Sequence, residues 1–166
     1  MIFTQFVDDA LGCASYLVGD ETAGVAAVVD PAFAIEQYLD EAERRGVPLE
    51  AAVVLGGDPI TMLAAILPLP EDVDELAFAG FLRGAPTRMV QARSIGLEVP
   101  ANAEFILEGV VPAGERRSEG PFGDHFGHYS EAADFPVFRV SRVTRRSRPL
   151  YPATVVGKPP QEDKWM

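Results

Sequence analysis

The hydrophobic period of the chain changes near Thr87, and this constrains the fold more than any other feature. Beyond that point apolar residues alternate with polar ones. Phe135, Val137, Val140 and Val143 are separated by polar or basic groups across residues 135–144. A period of two puts successive side chains on opposite faces of a strand, a pattern a helix cannot use. Residues 87–92, 97–99, 104–110 and 150–156 are further candidate strands, punctuated by Gly and Pro. The expectation is an α+β fold. Its second half is a small, curved or barrel-like, mostly antiparallel sheet, with the helices of the first half packed outside it.

The first half mixes both periods. Residues 1–7, 14–19 and 25–29 read as strands. Residues 20–24 form the hairpin connection between the last two, with Gly24 able to take positive φ. Ile35, Tyr38, Leu39 and Ala42 fall at helical spacing within residues 34–45. Asp30 and Pro31 stand where an N-cap and first helical position belong. Arg44, Arg45 and Gly46 suit the last turn and its termination. Residues 51–55 form another strand. The Gly56-Gly57-Asp58-Pro59 turn leads into a helix over 60–66, and residues 71–81 form a short helix. The two glycines invite a phosphate-loop reading, but no Gly-Lys-Ser/Thr follows. A tight turn with Asp58 or Thr61 near a helix cap explains them as well.

Charge excludes one class of partner. The formal net charge is -11, and residues 1–80 carry 15 acids against two bases, Arg44 and Arg45. A nucleic-acid surface needs a local excess of Lys and Arg, so nucleic acid is not expected as a partner. Pro68 and Pro70 end the longest apolar stretch, so no membrane span is expected. The opening residues lack a basic start and a long apolar core, so no signal peptide is expected and the location expected by elimination is cytoplasmic. The single cysteine, Cys13, excludes an intrachain disulfide and reads as a buried inert thiol.

Three clusters could carry chemistry. Glu119 and Asp124 flank a Gly-Pro-Phe-Gly loop that continues to His125. Two carboxylates held close repel, which raises the pKa of one toward the range of a general acid; a solvated surface turn is the alternative. His125 and His128 with neighbouring acids have the donor types of a zinc site but not its spacing. Glu71, Asp72, Asp74 and Glu75 form an acidic run, either a solvated helix face or an oxygen donor to a divalent cation. Arg139, Arg142, Arg145, Arg146 and Arg148 form a basic stripe that can pair with an acidic partner surface or stay in water.

Longer runs carry a resemblance. Residues 51–59 (AAVVLGGDP), 74–84 (DELAFAGFLRG), 97–104 (LEVPANAE), 107–109 (LEG), 119–125 (EGPFGDH) and 154–160 (TVVGKPP), with Glu162-Asp163, occur in this order. Together they resemble the UbiD family of prenylated-flavin-dependent carboxy-lyases, which includes 3-polyprenyl-4-hydroxybenzoate decarboxylase. The resemblance implies a flavin-reductase-like split β-barrel and decarboxylation of an aromatic or acrylic acid. It also implies prenylated FMN with Mn2+ or Mg2+ as cofactors. By the same resemblance Glu75 is the cation ligand, Glu119 takes part in proton transfer and Asp124 is the proton donor. The family's other cation ligands and its catalytic arginine precede the matched region and have no counterpart in residues 1–50.

Residues 1–50 have a separate resemblance. Residues 5–9 (QFVDD), 11–20 (LGCASYLVGD) and 28–31 (VVDP) resemble the start of a metallo-β-lactamase-fold hydrolase of the glyoxalase II or persulfide dioxygenase kind. Its metal motif is missing, since residues 1–50 contain no histidine. The expectation is a fused domain: a strand-helix fragment over residues 1–50 and a split-barrel fragment over 51–166. Such a chain would be inactive alone and could hold none of the cofactors. It would form a homodimer and could accept a small aromatic acid. The alternative is a non-enzymatic barrel module that dimerises and at most binds flavin weakly.

Overall fold

The hairpin that opens the chain shows how local sequence sets register. Asp20 accepts the backbone N–H groups of Thr22 and Ala23 through its side chain, and Gly24 takes φ 66°, so the chain reverses at the expected place. The computed structural model describes residues 1–8, 13–29, 35–67, 69–70, 73–123 and 127–155; of residues 8, 13, 14 and 29 it describes the backbone alone. The elements in order are β1 (Ile2–Asp8), β2 (Cys13–Asp20), β3 (Val25–Val29), α1 (Glu36–Arg45), β4 (Leu49–Leu55), α2 (Pro59–Ala64) and α3 (Glu75–Arg83). There follow β5 (Met89–Gln91), β6 (Glu98–Pro100), β7 (Phe105–Val111), β8 (Arg116–Glu119), β9 (Ala133–Pro136) and β10 (Arg139–Arg145).

Six strands form one sheet in the order β1-β2-β3-β4-β7-β10. All neighbours are antiparallel except β3 and β4, which run parallel because α1 carries the chain across between them. Strands β5 and β6 pair separately, as do β8 and β9. The α+β class and the antiparallel bias therefore stand, but the split barrel does not. The sheet ends at β1 on one side and β10 on the other, and these edges do not pair, so it is open. One reason lies in residues 135–144, expected as a single long strand. They break at Val137 and Phe138 into β9 and β10, which belong to different sheets. No continuous strand remains there to carry the sheet round.

Each end of the sheet is covered on a different face. Helix α1 lies over β1 to β4, where Ala42 packs with Ile2, Leu17, Ala26, Val47 and Leu49. Within this layer the buried Tyr38 hydroxyl meets the Ser15 hydroxyl at 2.6 Å, and the Phe6 ring meets the Tyr38 ring edge-on. Gly46 takes φ 66° and ends the helix, as its position after two arginines predicts. The second core lies on the opposite face of β4 and β7. There Ile106 and Ala52 meet Ala92, Ile95, Val99 and Ala103 from the β5–β6 region. Alternation along β4 explains the switch: Leu49 faces α1, whereas Ala52 faces the other way.

Sequence boundaries were close for β4, α2 and β7. Helix α3 starts at Glu75 rather than near residue 71, with Asp74 as its N-cap. Strand β8 was not expected, and residues 150–155 do not form the expected last strand. Asp30 and Pro31, and the side chain of Cys13, lie outside the described residues.

Candidate functional site

The end of β4 feeds a polar junction. Gly56 takes φ 68°, and a Cβ there would press on the Glu104 side chain and on Pro152. Asp58 then caps α2, its Oδ1 accepting the backbone N–H groups of Ile60 and Thr61 at 3.1 and 3.2 Å. Its Oδ2 accepts from Arg83 at 2.6 Å, the Thr61 hydroxyl at 2.9 Å and the Asn102 amide at 3.0 Å. Burial would raise the Asp58 pKa, but the hydrogen bonds from Arg83, Asn102 and Thr61 outweigh it and hold the carboxyl well below the usual range. Arg83 also donates to Thr61 and Thr87. This junction fixes α3 against α2.

Glu75 stands at the start of α3. It is exposed, and Asp74 beside it accepts the Ala77 N–H at 2.6 Å, which sets the first turn. Asp74 and Leu76, on either side of it, line an open groove of about 760 Å³ with Gly80, Phe81 and Met89. Glu119 is the last residue of β8 and is also exposed. It sits on the β8–β9 ribbon, which the Gly123–Tyr129 bridge and the Phe122–Ser130 hydrogen bonds extend. Asp124 and His125 lie outside the described residues; His128 is described and exposed. Glu75 and Glu119 are on separate elements, and neither lines this groove or the smaller cleft beside β5 and β6. No cluster of three or more His, Cys, Asp or Glu side chains able to hold a metal is present among the described residues.

Sequence reasoning missed how many acids serve the architecture. Glu108 is 1% exposed on β7, and its Oε2 accepts from the Arg93 N–H, the Ser94 N–H and the Ser94 hydroxyl at 2.6 to 2.8 Å. Burial opposes its ionisation, yet the Ser94 and Arg93 donors and the charge of Arg142 lower its pKa overall. Glu104 accepts from the Leu150 N–H and from Arg146, both at 2.9 Å, and its pKa is lowered chiefly by the Leu150 bond. The basic stripe is partly used within the chain: Arg139 pairs with Glu115 at 2.6 Å and Arg146 with Glu104. The signal for Glu108 was an acid amid the apolar β7 residues, because a buried charge needs several donors.

Comparison with known proteins places this architecture. A family model, described as the 3-octaprenyl-4-hydroxybenzoate carboxy-lyase Rift-related domain of UbiD, matches residues 10–159. The chain belongs to the UbiD family. The match begins at residue 10 and extends past residue 50, and β4 itself spans that point, so a metallo-β-lactamase-like front segment gains no support. An uncharacterized protein of Archaeoglobus fulgidus is 48% identical over 131 residues, covering 79% of this chain and 27% of its own length. Among solved structures, the vanillic acid decarboxylase of Sedimentibacter hydroxybenzoicus in open form matches with TM-score 0.72 and 30% identity. It covers 92% of this chain and 33% of that one. An evolved dimeric form of the UbiD-class enzyme HmfF from Pelotomaculum thermopropionicum, in complex with prenylated FMN, matches with TM-score 0.67 and 32% identity. It covers 90% of this chain and 36% of that one. The chain thus spans about a third of the solved relatives and about a quarter of the archaeal one. No described helix is long and apolar enough to cross a membrane.

Proposed function

We propose that this chain is the part of a UbiD-type decarboxylase that supplies its acid groups, and that it does not decarboxylate on its own. Family membership across residues 10–159 is the observation that carries the reading. The substrate class is a small aromatic or acrylic acid, and the cofactor class is prenylated FMN with a divalent cation. Bound prenylated FMN would act as the electron sink when the carboxylate leaves. Asp124 would deliver the replacing proton, with Glu119 holding charge beside it. Glu75 would be one oxygen ligand to the cation. The described residues do not fit a complete cation site, because oxygen-ligated cations need several ligands and no group of three or more acidic, histidine or cysteine side chains stands together among the described residues. Arg83 is also spent on Asp58, Thr61 and Thr87, so it does not serve as a clamp for a substrate carboxylate. A homodimer is part of the proposal, supported by the dimeric HmfF relative.

The test is carbon dioxide release by the purified chain from vanillate and cinnamate with reduced prenylated FMN and Mn2+. None is expected. Release that disappears in Asp124→Asn would overturn the inactivity and establish a complete enzyme. Grafting the chain in place of the matching third of vanillic acid decarboxylase should give release that Glu75→Gln, Glu119→Gln and Asp124→Asn each reduce at least about a hundredfold. Unchanged release in all three grafted variants would favour the non-enzymatic reading.

A further inference from the structure

Residues 146–152 leave β10 and join no helix or strand. They pass from Glu104, just before β7, to Gly56, just after β4. Arg145 donates to the carbonyl of its neighbour Arg146 at 3.2 Å. Every other hydrogen bond given to this segment among the described residues runs through Glu104. The Glu104 carbonyl accepts the Arg146 N–H at 3.1 Å. Its Oε1 accepts the Arg146 guanidinium and its Oε2 the Leu150 N–H, both at 2.9 Å. The Glu104 N–H donates to the Gly56 carbonyl at 2.7 Å, so the same residue is tied to the end of β4. Gly56 makes room for this: a Cβ there would stand 2.9 Å from the Glu104 Cβ and Cγ and 3.0 Å from Pro152.

Burial adds little to these bonds, because Leu150 is 75% and Tyr151 70% exposed. The Tyr151 ring meets the half-buried Phe105 ring edge-on, with centroids 6.2 Å apart. Phe105 and Leu107 share a face of β7 by alternation, and their register partners Leu55 and Val53 continue that face on β4. Tyr151 therefore lies over one end of an apolar row. A segment with few buried apolar groups, attached through one residue, opens at far lower cost than a paired strand. We infer that residues 146–152 are a strap latched by Glu104, which undocks as one unit while the sheet stays folded and so bares the Phe105 end of the apolar row.

The experiment is native-state hydrogen exchange on the full chain at neutral pH, read amide by amide. In the parent chain the Arg146 and Leu150 amides should be protected at least about tenfold less than the amides of β7, which is paired on both sides. Glu104→Gln keeps the shape but loses the charge and one acceptor. It should speed exchange at both amides at least about tenfold and leave β7 unchanged. Arg146 is the discriminating amide, because it donates to the Glu104 backbone carbonyl, which the substitution does not alter. Arg148→Gln, at an exposed position of the same segment, should change neither amide. Four results would overturn the inference: a gap of less than tenfold between these amides and β7 in the parent chain, an acceleration by Glu104→Gln of less than tenfold at either amide, an equal acceleration of β7, or an equal effect of Arg148→Gln. The parent comparison needs no variant, so misfolding of a variant does not protect the proposal.

Discussion

Asp58 accepts from five donors on three segments of the chain: two backbone N–H groups and the hydroxyl at the start of α2, the Arg83 guanidinium and the Asn102 amide. Asp58→Asn keeps the shape but loses the charge and at least one acceptor, leaving Arg83 half-buried and unneutralised. Stability should fall by roughly 2–3 kcal/mol, measured by denaturant unfolding at neutral pH. The pH dependence has a definite sign. Asp58 and Glu41 both have folded pKa values below their unfolded ones, and Glu41 is lowered to about 2, chiefly by the Arg44 hydrogen bond. Their contribution is complete above the unfolded values and is lost as pH falls through them toward the folded values. Melting temperature should therefore be level down to about pH 5 and drop below about pH 4.5, with a shallower drop in Asp58→Asn. An equally steep drop in the variant would remove Asp58 from the account. How much of the candidate site was legible divides along the same residues. Asp58 near a cap followed from the Gly-Gly-Asp-Pro turn, but its partners Arg83 and Asn102 are 25 and 44 positions away, where only tertiary packing can bring them.

At the scale of elements, β7 is the strand on which the sheet turns, paired with β4 on one side and β10 on the other. Gly109 sits where β10 is irregular, between Val140 and Arg142. A Cβ at Gly109 would run into the Arg139 carbonyl oxygen and the Phe138 ring. Neither the carbonyl of a paired strand nor the packed ring can yield cheaply, so Gly109→Ala should cost about 2 kcal/mol or more. Unfolding within 0.5 kcal/mol of the parent chain would show that the bulge absorbs the methyl. Alternation and capping residues made most elements readable, because both act through neighbours in sequence. Gly46 ends α1 in the left-handed conformation at the position its place after two arginines predicts, and Gly84 ends α3 in the same way. The break of residues 135–144 into β9 and β10 left one trace in the sequence, since Val137 and Phe138 are adjacent apolar residues and the apolar positions shift from odd to even at Val140. What splits them is the partner each half finds, β8 for one and β7 for the other.

The whole molecule is a sheet half-covered on each face, and this decides how it should associate. Helix α1 covers one face of β1 to β4, and the β5–β6 core covers the opposite face of β4 and β7. Across β4, β7 and β10, Val53, Leu107 and Val143 are register partners on the α1 side, beyond the reach of the α1 core. Val53 is 39% and Val143 57% exposed, and Val140 lies exposed beside them. A contiguous apolar face of this kind favours burial against another molecule. The outer edge of β10 is a poor alternative, because Arg139, Arg142 and Arg145 on two antiparallel copies would meet one another. We expect two copies to bury the β4–β7–β10 face around a twofold axis, which brings like patches together without pairing the arginine edges. Light scattering at tens of micromolar should report twice 17.9 kDa. Val143→Glu should shift the chain to monomer while changing its unfolding free energy by less than about 1 kcal/mol, since that side chain is more than half exposed before association. A parent chain that stays at 17.9 kDa, or a Val143→Glu variant that remains dimeric, would rule this face out as the interface.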